Sequence, residues 1–261
     1  MSDVHDAAMQ GFGAEAQSYV RGRPEYPAQL LTWLAGNLGL APEKVALDLG
    51  AGTGKFTKLL VQTGAQVLAV EPVEAMRDQL SRSLPTVHAL SGSAEHMPLA
   101  SASTDAVVCA QAFHWFATEK ALAEIHRVLK PGGGLGLVWN VRDESVDWVG
   151  RLTEIITPYE GDAPRFYKGD WRKPFVGSEY FEAPELNRFA YAHVGPPQEV
   201  IVDRFLSVSF IAALPSSEKA MVAARLQALI AEHPALRGRE SIAFPYQTEA
   251  YLCARRTAAQ A

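Results

Sequence analysis

The chain has little cysteine: Cys109 and Cys253 are the only two among 261 residues, each inside an apolar run. Two thiols build neither a disulfide framework nor a zinc site, and they fit a reducing compartment as two small buried hydrophobes. A long basic run is also missing. The 24 basic and 29 acidic residues leave a net charge of −5 and a pI near 5.8. That balance argues against duplex nucleic acid or an anionic membrane as a partner. No apolar stretch reaches membrane-spanning length, no secretory h-region stands near Met1, and no internal repeat is visible. The expectation is a cytoplasmic protein, its oligomeric state left open. Apolar residues are plentiful, at 48%, which excludes a disordered chain, and the length suits one large domain.

The most informative stretch is Val45–Phe56, an apolar strand, then a glycine-rich turn, then the start of a helix. Glycines at 50, 52 and 54 allow a sharp bend and a close approach to a ligand, and the helix N-terminus would favour an anionic or electron-rich group. A phosphate-binding P-loop is ruled out, because Leu49 stands where its first glycine belongs and Phe56 where Ser or Thr belongs. A dinucleotide fingerprint fits Gly50 and Gly52 but meets Lys55 at the third glycine.

Asp48-x-Gly50-x-Gly52-x-Gly54 resembles the first motif of class I S-adenosylmethionine-dependent methyltransferases of the small-molecule kind, the methyltransferase type 11 or trans-aconitate methyltransferase-like group. Glu71, closing the next apolar run Gln66–Val70, resembles the acidic residue expected there, which accepts hydrogen bonds from both ribose hydroxyls. Gly92-Ser93-Ala94-Glu95-His96-Met97-Pro98 resembles the adenine-binding stretch, with Ser93 in place of the usual aspartate. Arg127-x-Leu-Lys-Pro-Gly-Gly133 resembles a structural turn of the same family, and the segment from Phe12 to Pro27 resembles its lid.

The resemblance implies an α/β, Rossmann-like fold: a seven-stranded, mostly parallel sheet with an antiparallel edge hairpin, an N-terminal lid and an inserted helical cap. It implies one methyltransferase domain over 1–261, with lid and first helix at 1–40, cofactor core at 41–158, substrate-side loop, strand and cap at 159–241, and closing strand and tail at 242–261. The periodicity itself alternates strands and helices up to Pro158. It then gives an aromatic-rich loop over 159–184, a strand at Asn187–Val194, helical stretches near 198–212 and 216–233, and a strand at Ile242–Arg255.

By the same resemblance the backbone at Gly50, Gly52 and Gly54 takes the methionine part with Asp48 organising that turn, Glu71 takes the ribose, Ser93 and Ala94 take the adenine, and Ala51, Pro72 and Glu95 are further cofactor-binding residues. Gln111 and Ala112 border the reactive end. Tyr19 and Arg23 close the lid, where the arginine pairs with the cofactor's carboxylate or with an acidic substrate. His114 is a candidate general base or acceptor-orienting group. Trp115, Trp139 and Trp171 are candidate walls of a substrate pocket. Glu95 and His96 have no second ligand pair at suitable spacing, so no metal is expected.

The function implied is methyl transfer from S-adenosylmethionine, leaving S-adenosylhomocysteine, to a small organic acceptor, with oxygen favoured over other atoms. An NAD(P)-dependent oxidoreductase shares the strand, glycine turn and acidic residue but leaves the 92–98 and 127–133 segments unexplained. A non-catalytic S-adenosylmethionine-binding module shares all of the cofactor half. Methyl transfer to RNA is opposed by the acidic charge.

Overall fold

In the computed structural model, which describes residues 23–256, the first helix among those residues is α1 (Gln29–Leu38). Strand β1 (Val45–Leu49), α2 (Lys55–Val61), β2 (Gln66–Val70), α3 (Glu74–Ser83), β3 (His88–Leu90) and β4 (Thr104–Ala110) follow. Next come α4 (Glu119–Val128), β5 (Leu129–Arg142), α5 (Asp147–Ile156), β6 (Glu185–Gly195), α6 (Ser216–Glu232) and β7 (Ile242–Ala254). Tyr19 and the tail from Thr257 lie outside the described residues.

The strands form one sheet in the order β3-β2-β1-β4-β5-β7-β6. β1 to β5 are parallel, and β7 runs antiparallel to both β5 and β6. The expected edge hairpin is thus present, with β7 inside it and β6 at the rim. The central strands are mostly apolar because side chains cover both faces. Leu47, Leu49, Val107 and Leu137 pack on one side with α4, and Ala46, Val108 and Val138 on the other with α1 and α2. β6 instead alternates between exposed and half-covered residues, as an antiparallel rim strand should.

Polar contacts fix the element ends. Thr118 caps α4, its Oγ1 accepting the Ala121 N–H at 3.1 Å. Asp105 Oδ2 accepts the Val45 N–H at 2.9 Å and the Lys130 ammonium at 2.7 Å, tying the starts of β1 and β5 to β4.

Three expectations need correcting. The loop over 159–184 contains 3₁₀ turns at Phe166–Lys168 and Asp170–Phe175, because its aromatic side chains bury against the sheet. The stretch near 198–212 is a π-type turn, Gln198–Asp203, followed by the short helices Arg204–Leu206 and Ser209–Ala212. The strand after the Arg127–Gly133 turn, expected over Leu135–Trp139, is longer at both ends, since β7 pairs with it from Gly134 to Arg142. A third buried cluster joins α5, residues 200–211, α6 and Phe244, which seats the cap on the end of the sheet.

The winding places the site. The chain steps outward from β1 to β3 and then crosses to β4 on β1's other side. Beyond the carboxyl ends of β1 and β4 the two halves diverge and leave a crevice.

Candidate active site

A cavity fills that crevice, with walls from the turns after β1, β2, β3 and β4. Gly50 and Gly52 have φ of 73° and 56°. A Cβ on Gly50 would lie 2.8 Å from the Ala112 Cβ, so this turn requires glycine on both counts. Gly54 plays a different part from the one expected. It is absent from the wall, and its Cβ would strike Leu80 at 3.0 Å, so it lets α2 approach α3.

Two carboxylates border this turn. Asp48 is fully buried, and its Oδ2 accepts the Thr57 hydroxyl at 2.6 Å while its Oδ1 has no hydrogen-bond partner among the described residues. Burial raises its pKa to about 7; the Thr57 bond opposes the shift and the nearby Glu71 charge adds to it. Glu71 Oε2 accepts the Gly52 N–H and Oε1 the Val73 N–H, both at 2.9 Å. Burial raises the Glu71 pKa, against the pull of these two N–H groups and of Arg77. Each Glu71 oxygen retains a lone pair for a further donor.

Pro72, Ser93, Ala94, Gln111 and Ala112 all reach the wall, as does Ala51. Ser93 and His96 exchange backbone hydrogen bonds of 3.3 and 3.2 Å, a tight turn that presents Ser93 and Ala94 to the cavity. Glu95 is turned away, its Oε1 taking the Thr118 hydroxyl at 2.7 Å. Gln111 has φ of 57°, rare for a side chain bearing a Cβ; its N–H reaches Val138 O at 2.8 Å and its Nε2 reaches Asn140 O at 3.3 Å.

A second cavity adjoins the first, and the two share Arg23, Gln111, Trp115, Asn140 and Arg204. His114 and Trp139 lie on its wall. The Trp139 indole N–H can only donate, and it reaches His114 Nδ1 at 3.1 Å. The lone pair is therefore on Nδ1, and a neutral ring carries its proton on Nε2. Removal from solvent, with the Arg165 and Arg23 charges behind it, lowers the His114 pKa to about 3. The Nδ1 lone pair that a general base would use is already engaged by Trp139. Trp171 is a core residue, 4.8 Å from Trp139 in an aromatic cluster with Phe166 and Tyr251, and it reaches neither cavity.

Several wall residues carry no local signal in the sequence. Lys55, in the third-glycine place of the dinucleotide pattern, donates to Arg23 O at 2.7 Å and to Glu25 Oε1 at 3.2 Å. Asn140 donates to Glu25 O at 2.9 Å and accepts from Thr248 at 2.6 Å. These bonds draw the 23–26 segment over the crevice, where Arg23 donates to Ser207 O of the cap at 2.8 Å. Arg142, Arg165 and Arg204 meet at the second cavity from β5, the 159–184 loop and the cap.

The donor set of the first cavity fits an adenosine-bearing sulfonium cofactor. A glycine cradle leaves the backbone open, a buried carboxylate has lone pairs to spare, and an unpartnered Asp48 oxygen suits a cationic ligand. Comparisons with known proteins agree. Residues 47–137 match the family model described as a methyltransferase domain. The chain is 41% identical over 248 residues to an uncharacterized methyltransferase of Mycobacterium tuberculosis, covering 95% of this chain and 96% of that one. It is 36% identical over 244 residues to an uncharacterized methyltransferase-like protein of Schizosaccharomyces pombe, covering 93% and 94% of the two chains. Among solved structures, one described as a putative type II methyltransferase from Anaeromyxobacter dehalogenans superposes with a TM-score of 0.59 at 26% identity, covering 89% of this chain and 96% of that one. Likeness of that extent along nearly the whole length of both relatives means that the chain belongs to the class I S-adenosylmethionine-dependent methyltransferases.

Proposed function

We propose that the protein transfers the methyl group of S-adenosylmethionine to an oxygen of a small organic acceptor held in the second cavity. One observation carries this reading: the Gly50–Gly52 cradle and the buried Glu71 carboxylate face one cavity that shares wall residues with a second. In this reading the cradle's backbone takes the methionine part with Asp48 beneath it, Glu71 takes the ribose hydroxyls, and the Ser93–Ala94 turn takes the adenine edge. When bound, the cofactor supplies a methyl carbon on a positively charged sulfur. The protein's task is then to align an acceptor atom with that carbon and to keep water away. Gln111, Trp115 and Asn140 line both cavities. His114, with its proton on Nε2, orients the acceptor instead of deprotonating it. An acceptor oxygen already ionised at neutral pH needs no base, which favours such an oxygen. Buried unpaired thiols support a cytoplasmic site of action.

Calorimetric titration with S-adenosylmethionine, S-adenosylhomocysteine and NADH, on wild type and Glu71→Ala, tests the reading. Binding of the first two alone is expected. In the variant their affinity should fall by roughly ten- to a hundredfold, the loss of charge-assisted hydrogen bonds. Binding of NADH alone would replace the methyltransferase assignment with an oxidoreductase.

A further inference from the structure

Lys55, the first residue of α2, has no task in the cofactor reading, although it stands on the wall of the first cavity. Its ammonium is turned to the segment 23–26, donating to Arg23 O at 2.7 Å and to Glu25 Oε1 at 3.2 Å. Arg23, Pro24 and Tyr26 of that segment line the same cavity, and the Tyr26 ring stands edge-on to Phe56 at 4.9 Å. The other flank is held separately. Asn140 on β5 donates to Glu25 O at 2.9 Å, and Arg23 donates to Ser207 O of the cap at 2.8 Å. Pro24 and Pro27 fix φ and offer no N–H, which makes the segment stiff. It is a strap, pinned at β5 and the cap and fastened at the cofactor turn by Lys55. The two Lys55 bonds are unequal. The Glu25 side chain is 56% exposed, where an ion pair contributes little, whereas the Arg23 carbonyl accepts a charge-assisted bond from a lysine only 18% exposed.

We infer that Lys55 is a latch: it holds the 23–26 strap down across the first cavity, and the strap must lift for cofactor to enter or product to leave. The inference rests on the methyltransferase reading for the identity of those ligands, though not for the movement of the strap. Each latch bond joins protein to protein, so breaking it costs the same over a filled cavity as over an empty one. The latch therefore slows entry and exit by one factor, which cancels from the affinity, the ratio of the two rates. A residue that touched the cofactor would behave otherwise, because losing its contact speeds departure alone. Lid opening and product release limit turnover in many enzymes, which gives Lys55 a positioning role away from the reacting atoms.

Stopped-flow mixing with S-adenosylhomocysteine gives both rate constants, read by tryptophan fluorescence, to which Trp115 on the cavity wall contributes. The proteins are wild type, Lys55→Met, Lys55→Arg and Glu25→Gln. Lys55→Met should raise association and dissociation together, each at least tenfold, with Kd held within threefold. Lys55→Arg keeps a charged donor and should restore most of the slowing. Glu25→Gln loses only the exposed partner, and both its rates should lie within threefold of wild type. A readout without ligand is cleavage between Glu25 and Tyr26 by a glutamate-specific protease, which follows the opened strap. It should run at least fivefold faster in Lys55→Met at an unchanged urea midpoint. Unchanged rates in Lys55→Met would overturn the latch. So would faster dissociation alone with a tenfold loss of affinity, which would place Lys55 at the ligand. Faster cleavage in a protein that binds no S-adenosylhomocysteine would uphold the latch and sink the cofactor reading.

Discussion

Burial keeps the Asp48 carboxyl protonated up to about pH 7, against a free value of 3.8. In the unfolded chain that proton is already lost by about pH 5, so the folded state binds more protons and stability falls as pH rises through this window. The upward shift at Glu71 has the same sign. Urea unfolding at pH 5 and pH 8 should therefore find wild type less stable at pH 8, and Asp48→Asn should shrink the difference while keeping an acceptor for Thr57. The glycine turn and Glu71 were legible in the sequence because their chemistry is local, a few residues at fixed spacing. The tautomer of His114 was not, since its partner Trp139 stands 25 residues away, on β5. Nor were Arg142, Arg165 and Arg204, because an arginine reads as a surface residue until tertiary packing removes it from water.

At the scale of elements, Thr118 serves two parts of the fold at once. Its hydroxyl caps α4 and also donates to Glu95, just beyond the Ser93–Ala94 turn. Thr118→Ala is expected to destabilise the protein by ~1 kcal/mol, the usual loss for a cap, with Thr118→Ser within a few tenths of wild type. Urea midpoints at constant m-value check both. The positions of α1 to α5 and of all seven strands follow from periodicity with small shifts at their ends. The π-type turn at Gln198–Asp203 and the length of β5 do not. The first is a distortion of a helical pattern, and the second depends on pairing with a strand more than a hundred residues later. Gly54 stands in the turn as its spacing implies, and spacing alone does not show that the neighbouring helix also needs a glycine there.

For the whole molecule, the sheet and the cap contribute unequally to the two cavities. The first is built almost wholly from the parallel half of the sheet, whose motifs are specific. The second gathers residues from β5, the aromatic loop and the cap, whose sequence fits a looser pattern. Gln111 stands where they join, and its left-handed backbone costs ~1–2 kcal/mol for a residue with a Cβ. Glycine would relieve that strain and lose ~0.5–1 kcal/mol of it again to the freer unfolded chain. Gln111→Gly is thus expected to raise the unfolding free energy by ~0.5–1 kcal/mol and to lower turnover at least tenfold, measured by urea melts and steady-state rates. A search for hardier variants would converge on this position and return a robust protein that has given up its work.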